Sequence, residues 1–186
     1  WSSDVCSSDL LDLELDYESI VQLSFIGGEP LLERQNFLVL ERLIELGNTG
    51  CFISIVTNGS IELNERQLNI LSKFSNLNIC LSIDGIGPQF EYIRWPLKWT
   101  QLENNLKQFK QIAKHVSVSC MISNLNIYNY TDLIEFFDLI NIQATCTIVT
   151  HPVIQLNTQM LQTFVDFTNV AHGHGFKLNC ASVTPL

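Results

Sequence analysis

The sequence predicts an α/β fold in which parallel strands joined by helices form a partial barrel rather than an open doubly wound sheet. Three observations carry that expectation. From residue 21 onward, short β-rich runs alternate with amphipathic helical patterns, the order that right-handed βαβ units generate. Three strand runs end in glycine beside a polar side chain, at the face where strand-to-helix loops build sites. The run 77–84 has two unlike faces, with Leu77, Ile79, Leu81 and Ile83 on one and Asn78, Cys80, Ser82 and Asp84 on the other. An open sheet covered by helices on both sides asks for apolar residues on both faces. A small, polar second face suits a barrel interior that becomes more polar toward the C-terminal strand ends.

Taken in order, strands are expected over 21–26, 51–57, 77–84, 116–122 and 143–150, with a weaker sixth over 176–180. The first helix, over 33–46, carries apolar residues at Phe37, Leu40 and Ile44 and stops at Gly47, a residue that readily takes the left-handed conformation closing many helices. Asn64 with Gln67 opens a second helix. Thr100 with Glu103 reads as a capping box for a third, with Leu102, Leu106 and Phe109 on one face. Thr131 caps a fourth, and 158–172 forms a fifth.

Composition bounds the function. With 46% hydrophobic and 16% charged residues, the chain has the material for one packed core and is not a disordered polymer. No apolar run approaches the roughly 20 residues of a membrane-spanning helix, so no membrane partner and a cytoplasmic location are expected. A formal charge of −9 argues against nucleic-acid backbones as partners. The short basic stretch over 107–114 lies on a helical pattern and reads as a solvated face. Six cysteines, at Cys6, Cys51, Cys80, Cys120, Cys146 and Cys180, are too scattered for a zinc or iron–sulfur spacing. Four of them, Cys51, Cys80, Cys120 and Cys146, fall in strand patterns and read as free core thiols. No metal ligand and no catalytic residue is assigned from spacing.

The two ends read differently from the middle. Residues 1–10 have no periodicity and no signal-peptide core. The segment Asp4-Val5-Cys6-Ser7-Ser8-Asp9-Leu10 is what GAC GTG TGC TCT TCC GAT CT encodes, a stretch resembling a common sequencing adapter. A Ser-rich terminus that matches by chance is the alternative. The expected organisation is a non-native leader over 1–10, a barrel over 11–175 and the beginning of a C-terminal extension over 176–186.

The chemistry-bearing motifs sit at strand ends: Phe25-Ile26-Gly27-Gly28-Glu29-Pro30-Leu31-Leu32, then Val56-Thr57-Asn58-Gly59, then Leu81-Ser82-Ile83-Asp84-Gly85. Singly, each is a turn signal. As an ordered set they resemble the radical S-adenosylmethionine (SAM) superfamily. Within it, Glu91-Tyr92-Ile93-Arg94-Trp95-Pro96-Leu97-Lys98-Trp99 resembles the group described as twitch-domain proteins. The resemblance covers residues 20–155. It implies a partial (β/α)6 barrel, here without its first strand, and a CxxxCxxC loop ligating a 4Fe–4S cluster whose fourth iron SAM chelates. That motif is not in this sequence and is expected upstream of Gly27. The implied activity is reductive cleavage of SAM and hydrogen abstraction from an unidentified substrate, a peptide or a small molecule, with an electron donor as partner.

The resemblance also implies roles for the strand-end residues. Gly27 and Gly28 leave room for backbone carbonyls to approach the methionyl ammonium, with Glu29 adding negative charge and Pro30 stiffening the turn. Ser82 and Asp84 are acceptors suited to ribose hydroxyls, or simply solvated strand-end residues. Arg94 offers a fork for the SAM carboxylate or a surface ion pair. Asn58 is a further SAM-contacting candidate, or a cap of its own turn. Met121, Ser123 and Val149 stand where adenine contacts occur in the family, though core or loop roles suit them too. Gly27, Gly28, Glu29, Ser82, Asp84 and Arg94 are expected to converge on one concavity. His172 and His174 suit a helix C-terminus, and His151 a connection. Phe90, Tyr92, Trp95 and Trp99 read as a packed loop lid or a substrate platform. Two other readings stand: a non-catalytic protein with a SAM pocket, and an unrelated βα-barrel enzyme.

Overall fold

A computed structural model describes residues 16–149 together with Asn157, Gln159, Met160 and Gln162. The leader over 1–10, the strand over 176–180, most of the helix over 158–172 and His151, His172 and His174 lie outside the described residues. In chain order the elements are β1 (Gln22–Phe25), α1 (Arg34–Glu45), β2 (Phe52–Thr57), α2 (Glu65–Leu71), β3 (Leu77–Ser82), α3 (Gly87–Ile93), α4 (Trp99–Ile112), β4 (His115–Ile122), a 3-10 turn (Ile127–Asn129), α5 (Tyr130–Leu139) and β5 (Gln143–Ile148). The five strands lie parallel in one sheet in the order β1-β2-β3-β4-β5. Strand order therefore follows chain order, as successive βα units demand.

The described residues divide into two compact units, one of 16–80 with 103–116 and the other of 81–102 with 117–149. In the first, β1 and β2 pair with Leu23 beside Ile53 and Phe25 beside Ile55. Ile53, Ile55, Leu77 and Ile79 are buried on one sheet face, while Ser54, Asn78 and Cys80 on the other are half-buried. Helix α1 buries Phe37, Val39, Leu40 and Leu43; the apolar face expected at Ile44 is rotated to Leu43, and Ile44 is only half-buried. Gly47, at φ +77°, reverses the chain after α1 through N–H bonds to Ile44 and, from Asn48, to Leu43. Asn64 accepts from the Gln67 amide while the Gln67 side chain accepts from Asn64, a full capping box. Each fully buried Leu or Ile here contributes about 1.5–3 kcal/mol over an exposed one.

In the second unit β4 and β5 pair in register, Val118 beside Ala144 and Cys120 beside Cys146, all buried. Their opposite face carries Ser117, Ser119 and Met121 beside Gln143, Thr145 and Thr147. The contrast between a buried apolar and a polar face, expected from 77–84, recurs in β4 and β5, whereas the second face of β2 also carries Phe52 and Val56. Strand β3 ends at Ser82, so Asp84 lies just beyond it.

Three local expectations are corrected. Helix α4 begins at Trp99, which places Thr100 inside its first turn; the Trp99 amide is instead held by the Glu91 carboxylate. Helix α5 begins at Tyr130, one residue before Thr131, because the 3-10 turn runs directly into it. The aromatic segment is partly helical: Phe90 of α3 is buried and packs edge-on with Trp99, which meets Phe136 in the same manner, at ring separations of 5.4 and 5.3 Å. Tyr92 and Trp95 are exposed. No described helix is long and apolar enough to cross a membrane.

Candidate functional site

The loop after β1 is organised around Glu29. Its Oε1 accepts from the Thr57 hydroxyl at 2.7 Å and the Leu31 amide at 3.2 Å, and its Oε2 accepts from the Asn58 amide at 2.9 Å. Thr57 is buried at the end of β2 and its hydroxyl also accepts from Gly59. One carboxylate therefore staples the ends of two neighbouring strands. Three donors leave acceptor capacity on Oε2, since each carboxylate oxygen accepts about two bonds. Pro30 is buried, and its carbonyl accepts from Asn36 of α1. Asn58 accepts the Ser60 amide at 2.8 Å, so its side-chain oxygen caps its own turn while its amide serves Glu29. Asn105 of α4 donates to the Gly59 carbonyl at 2.8 Å and fixes the same turn from behind.

Gly27 and Gly28 are exposed, and a Cβ built on either would meet nothing within 4 Å. Gly27 has φ +123°, a conformation that side chains other than hydrogen rarely take. The open space lies beside backbone that no side chain covers.

In the second unit the centre is Asp84, only 5% exposed. Its Oδ1 accepts from the Met121 amide at 2.7 Å and its Oδ2 meets the Arg94 guanidinium at 2.6 Å. Asn126, 1% exposed, donates through Nδ2 to the Asp84 and Met121 carbonyls and accepts from the Ser123 amide, each at 2.8 Å. Ser123 Oγ accepts from Leu125. The ends of β3 and β4 are thus tied by both the side chain and the backbone of Asp84. Arg94 is partly buried, and its Nε has no hydrogen-bond partner. The ion pair on Arg94 is therefore an interior one. Ser82 closes β3 on the open polar face, and Met121 is exposed on that of β4.

The structure brings Glu29 together with Asn58, and Asp84 together with Arg94. Sequence reading missed Thr57 and Asn126, which hold those carboxylates or their backbone. Thr57 stands in the quoted Val56-Thr57-Asn58-Gly59 motif, and the Ser123-Asn124-Leu125-Asn126 run after β4 is itself a turn signal. Beside Arg94, Glu91 is paired with Lys98 at 2.9 Å; that bond, with the Trp99 amide, holds its carboxyl below the usual range.

No family model matches the chain, and no curated protein matches it. Solved structures do match. SuiB of Streptococcus suis bound to S-adenosylmethionine superposes with a TM-score of 0.64 at 16% identity, over 86% of this chain and 37% of that one. Native anSMEcpe with bound S-adenosylmethionine and the Cp18Cys peptide gives 0.64 at 18% identity, over 88% of this chain and 54% of that one. A domain of pyruvate-formate lyase-activating enzyme from Bacteroides vulgatus ATCC 8482 gives 0.61 at 12% identity, over 86% and 98%. This chain shares their fold. The α/β partial barrel expected from the sequence is the fold found. The chain spans 37% and 54% of the length of the first two.

The described residues offer open backbone and carboxylate acceptors at strand ends, and no set of metal ligands. Open backbone at Gly27 and Gly28 beside a carboxylate with acceptor capacity suits an ammonium group. Among the described residues, no group of three or more His, Cys, Asp or Glu side chains could hold a metal ion. Cys51, Cys120 and Cys146 are buried free thiols, and Cys80 is half-buried.

Proposed function

We propose that this chain is part of a radical SAM enzyme and supplies the protein side of its SAM pocket. The observation that carries the reading is the Glu29 staple beside two open glycines at the C-terminal ends of parallel strands. There the Gly27–Gly28 backbone and Glu29 receive the methionyl ammonium. Ser82 serves the ribose, and Asp84 sets the strand end that carries it. Arg94, already neutralised on one side by Asp84, has an unpartnered Nε for the methionyl carboxylate. Met121, Ser123 and Val149 border the adenine, with Ser123 held by Asn126.

Bound SAM supplies the adenosyl group that abstracts hydrogen from substrate. This chain's residues bind it, orient it and keep water from the reacting end. The 4Fe–4S cluster that this chemistry needs would be held by a CxxxCxxC motif, which this sequence does not contain, with an electron donor as partner. Two neighbours carry bound peptides, Cp18Cys on anSMEcpe and SuiA on SuiB, and this supports a peptide as substrate. The position of Glu91–Trp99 after the third strand end supports the twitch-domain group, and a cytoplasmic setting suits the free thiols.

The test is to join a CxxxCxxC-bearing segment in frame ahead of Leu11 and reconstitute with iron and sulfide. The product is expected to release 5′-deoxyadenosine under reducing conditions, and Glu29→Ala or Asp84→Ala is expected to depress release. A protein that assembles the cluster yet cleaves no SAM contradicts the reading.

A further inference from the structure

The second unit holds two nucleophilic groups that the proposed SAM pocket does not use. Cys120 of β4 and Cys146 of β5 are register partners, both on the buried sheet face, 0% and 5% exposed, and both free. Neighbouring strands lie about 4.8 Å apart. That separation is inside the window of about 4.4–6.8 Å between Cα atoms that disulfides span. Opposed positions on one face also aim both Cβ atoms to the same side. We propose that Cys120 and Cys146 are an oxidation site, closing to a cross-strand disulfide when a small two-electron oxidant of the peroxide class reaches them.

The two sulfurs differ in their surroundings. The Cys120 thiol donates to Cys146, and this bond outweighs burial and holds the Cys146 thiol below its usual range. The same bond, then burial, pushes Cys120 well above it. Written with Cys146 as the attacking thiolate, Cys120 is the resolving thiol, and the reverse order gives the same products. Cys146 sulfur attacks one peroxide oxygen, the O–O bond breaks, and hydroxide leaves a sulfenic acid behind. Cys120 sulfur then displaces the sulfenic oxygen as water while the S–S bond forms. The hydroxide takes up the proton that Cys146 had released. In sum, two thiols and one peroxide give one disulfide and two waters. Burial of both sulfurs selects small oxidants over bulky disulfides.

The experiment treats the whole chain with hydrogen peroxide, removes it, then denatures and alkylates. Free thiols are expected to fall by two and to recover on reduction. Unreduced digestion at acidic residues separates the two cysteines, because Asp132, Glu135 and Asp138 lie between them. It is expected to yield one linked pair of peptides carrying Cys120 and Cys146. Cys146→Ser should abolish that link, whereas Cys51→Ser should leave it. The wild-type map decides the matter even if a variant fails to fold. An unchanged thiol count, a link from Cys146 to any other cysteine, or Cys146 oxidised further without a partner would each overturn the proposal.

Discussion

Asn126→Ala removes the side chain that joins the backbone of Asp84 to that of Met121. Three hydrogen bonds at 2.8 Å are lost in a place where Asn126 is only 1% exposed, so water does not readily replace them. At about 1 kcal/mol net for each bond, the loss is about 3 kcal/mol, and more if the two carbonyls and the Ser123 amide stay unsatisfied. For a domain of about 5–15 kcal/mol total stability this is a large fraction. Urea unfolding followed by circular dichroism measures it. With a slope of about 2 kcal/mol per molar, the midpoint should fall by about 1.5 M with the slope unchanged. Asn126→Asp retains the acceptor for Ser123 but turns a donor to two carbonyls into an acceptor, and should cost at least as much at neutral pH. Asn129→Ala, on the exposed side of the same turn, should stay within about 0.5 kcal/mol of wild type. If Asn126→Ala also stays within that margin, the tie between the β3 and β4 ends does not bear on stability and the reasoning fails.

Three further outcomes follow from the geometry. Glu29→Gln keeps an acceptor for Thr57 but sets an amide donor against the Asn58 amide; thermal unfolding should show a loss of about 1–3 kcal/mol, and an unchanged melting point would discount the staple. Gly85→Ala places a Cβ 3.1 Å from the Phe90 backbone nitrogen and should cost about 1–3 kcal/mol, whereas Gly50→Ala, which meets nothing within 4 Å, should be nearly neutral. Glu91 has a folded-state pKa below its ordinary 4.5, first through Lys98 and then through the Trp99 amide. Its stabilising contribution is therefore complete above that ordinary value and lost as pH falls through the folded one. An NMR titration should show the lowered midpoint, and Lys98→Ala should raise it; a midpoint indifferent to Lys98 would refute the pairing.

Much of the fold was legible because its two periodicities are clean. Alternation in 77–84 gave a buried and an open face, and Leu102, Leu106 and Phe109 are the buried stripe expected of α4. The Asn64–Gln67 box and the Gly47 stop are local signals that tertiary structure leaves alone. Errors arose where distant groups set a boundary. Glu91 reaches eight residues forward to hold the start of α4, and the 3-10 turn carries the chain into α5 ahead of Thr131. Helix α3 was not among the expected helices, although Pro88 in its first turn is well suited to a helix start. The strand-end motifs were visible as residues, but their bonding was not. That Glu29 grips Thr57, or Asp84 the Met121 amide, depends on how neighbouring strands are registered, which lies outside any local pattern.

The most direct test of the SAM-pocket account is an NMR titration of this chain with SAM, following backbone amides at concentrations that reveal weak binding. Without iron ligation the affinity should be low, yet saturable shifts should appear at Gly27, Gly28, Glu29, Asn58, Ser82 and Arg94, and Glu29→Gln should diminish those at Gly27 and Gly28. Shifts confined to other parts of the chain, or none at these six residues, would contradict the account.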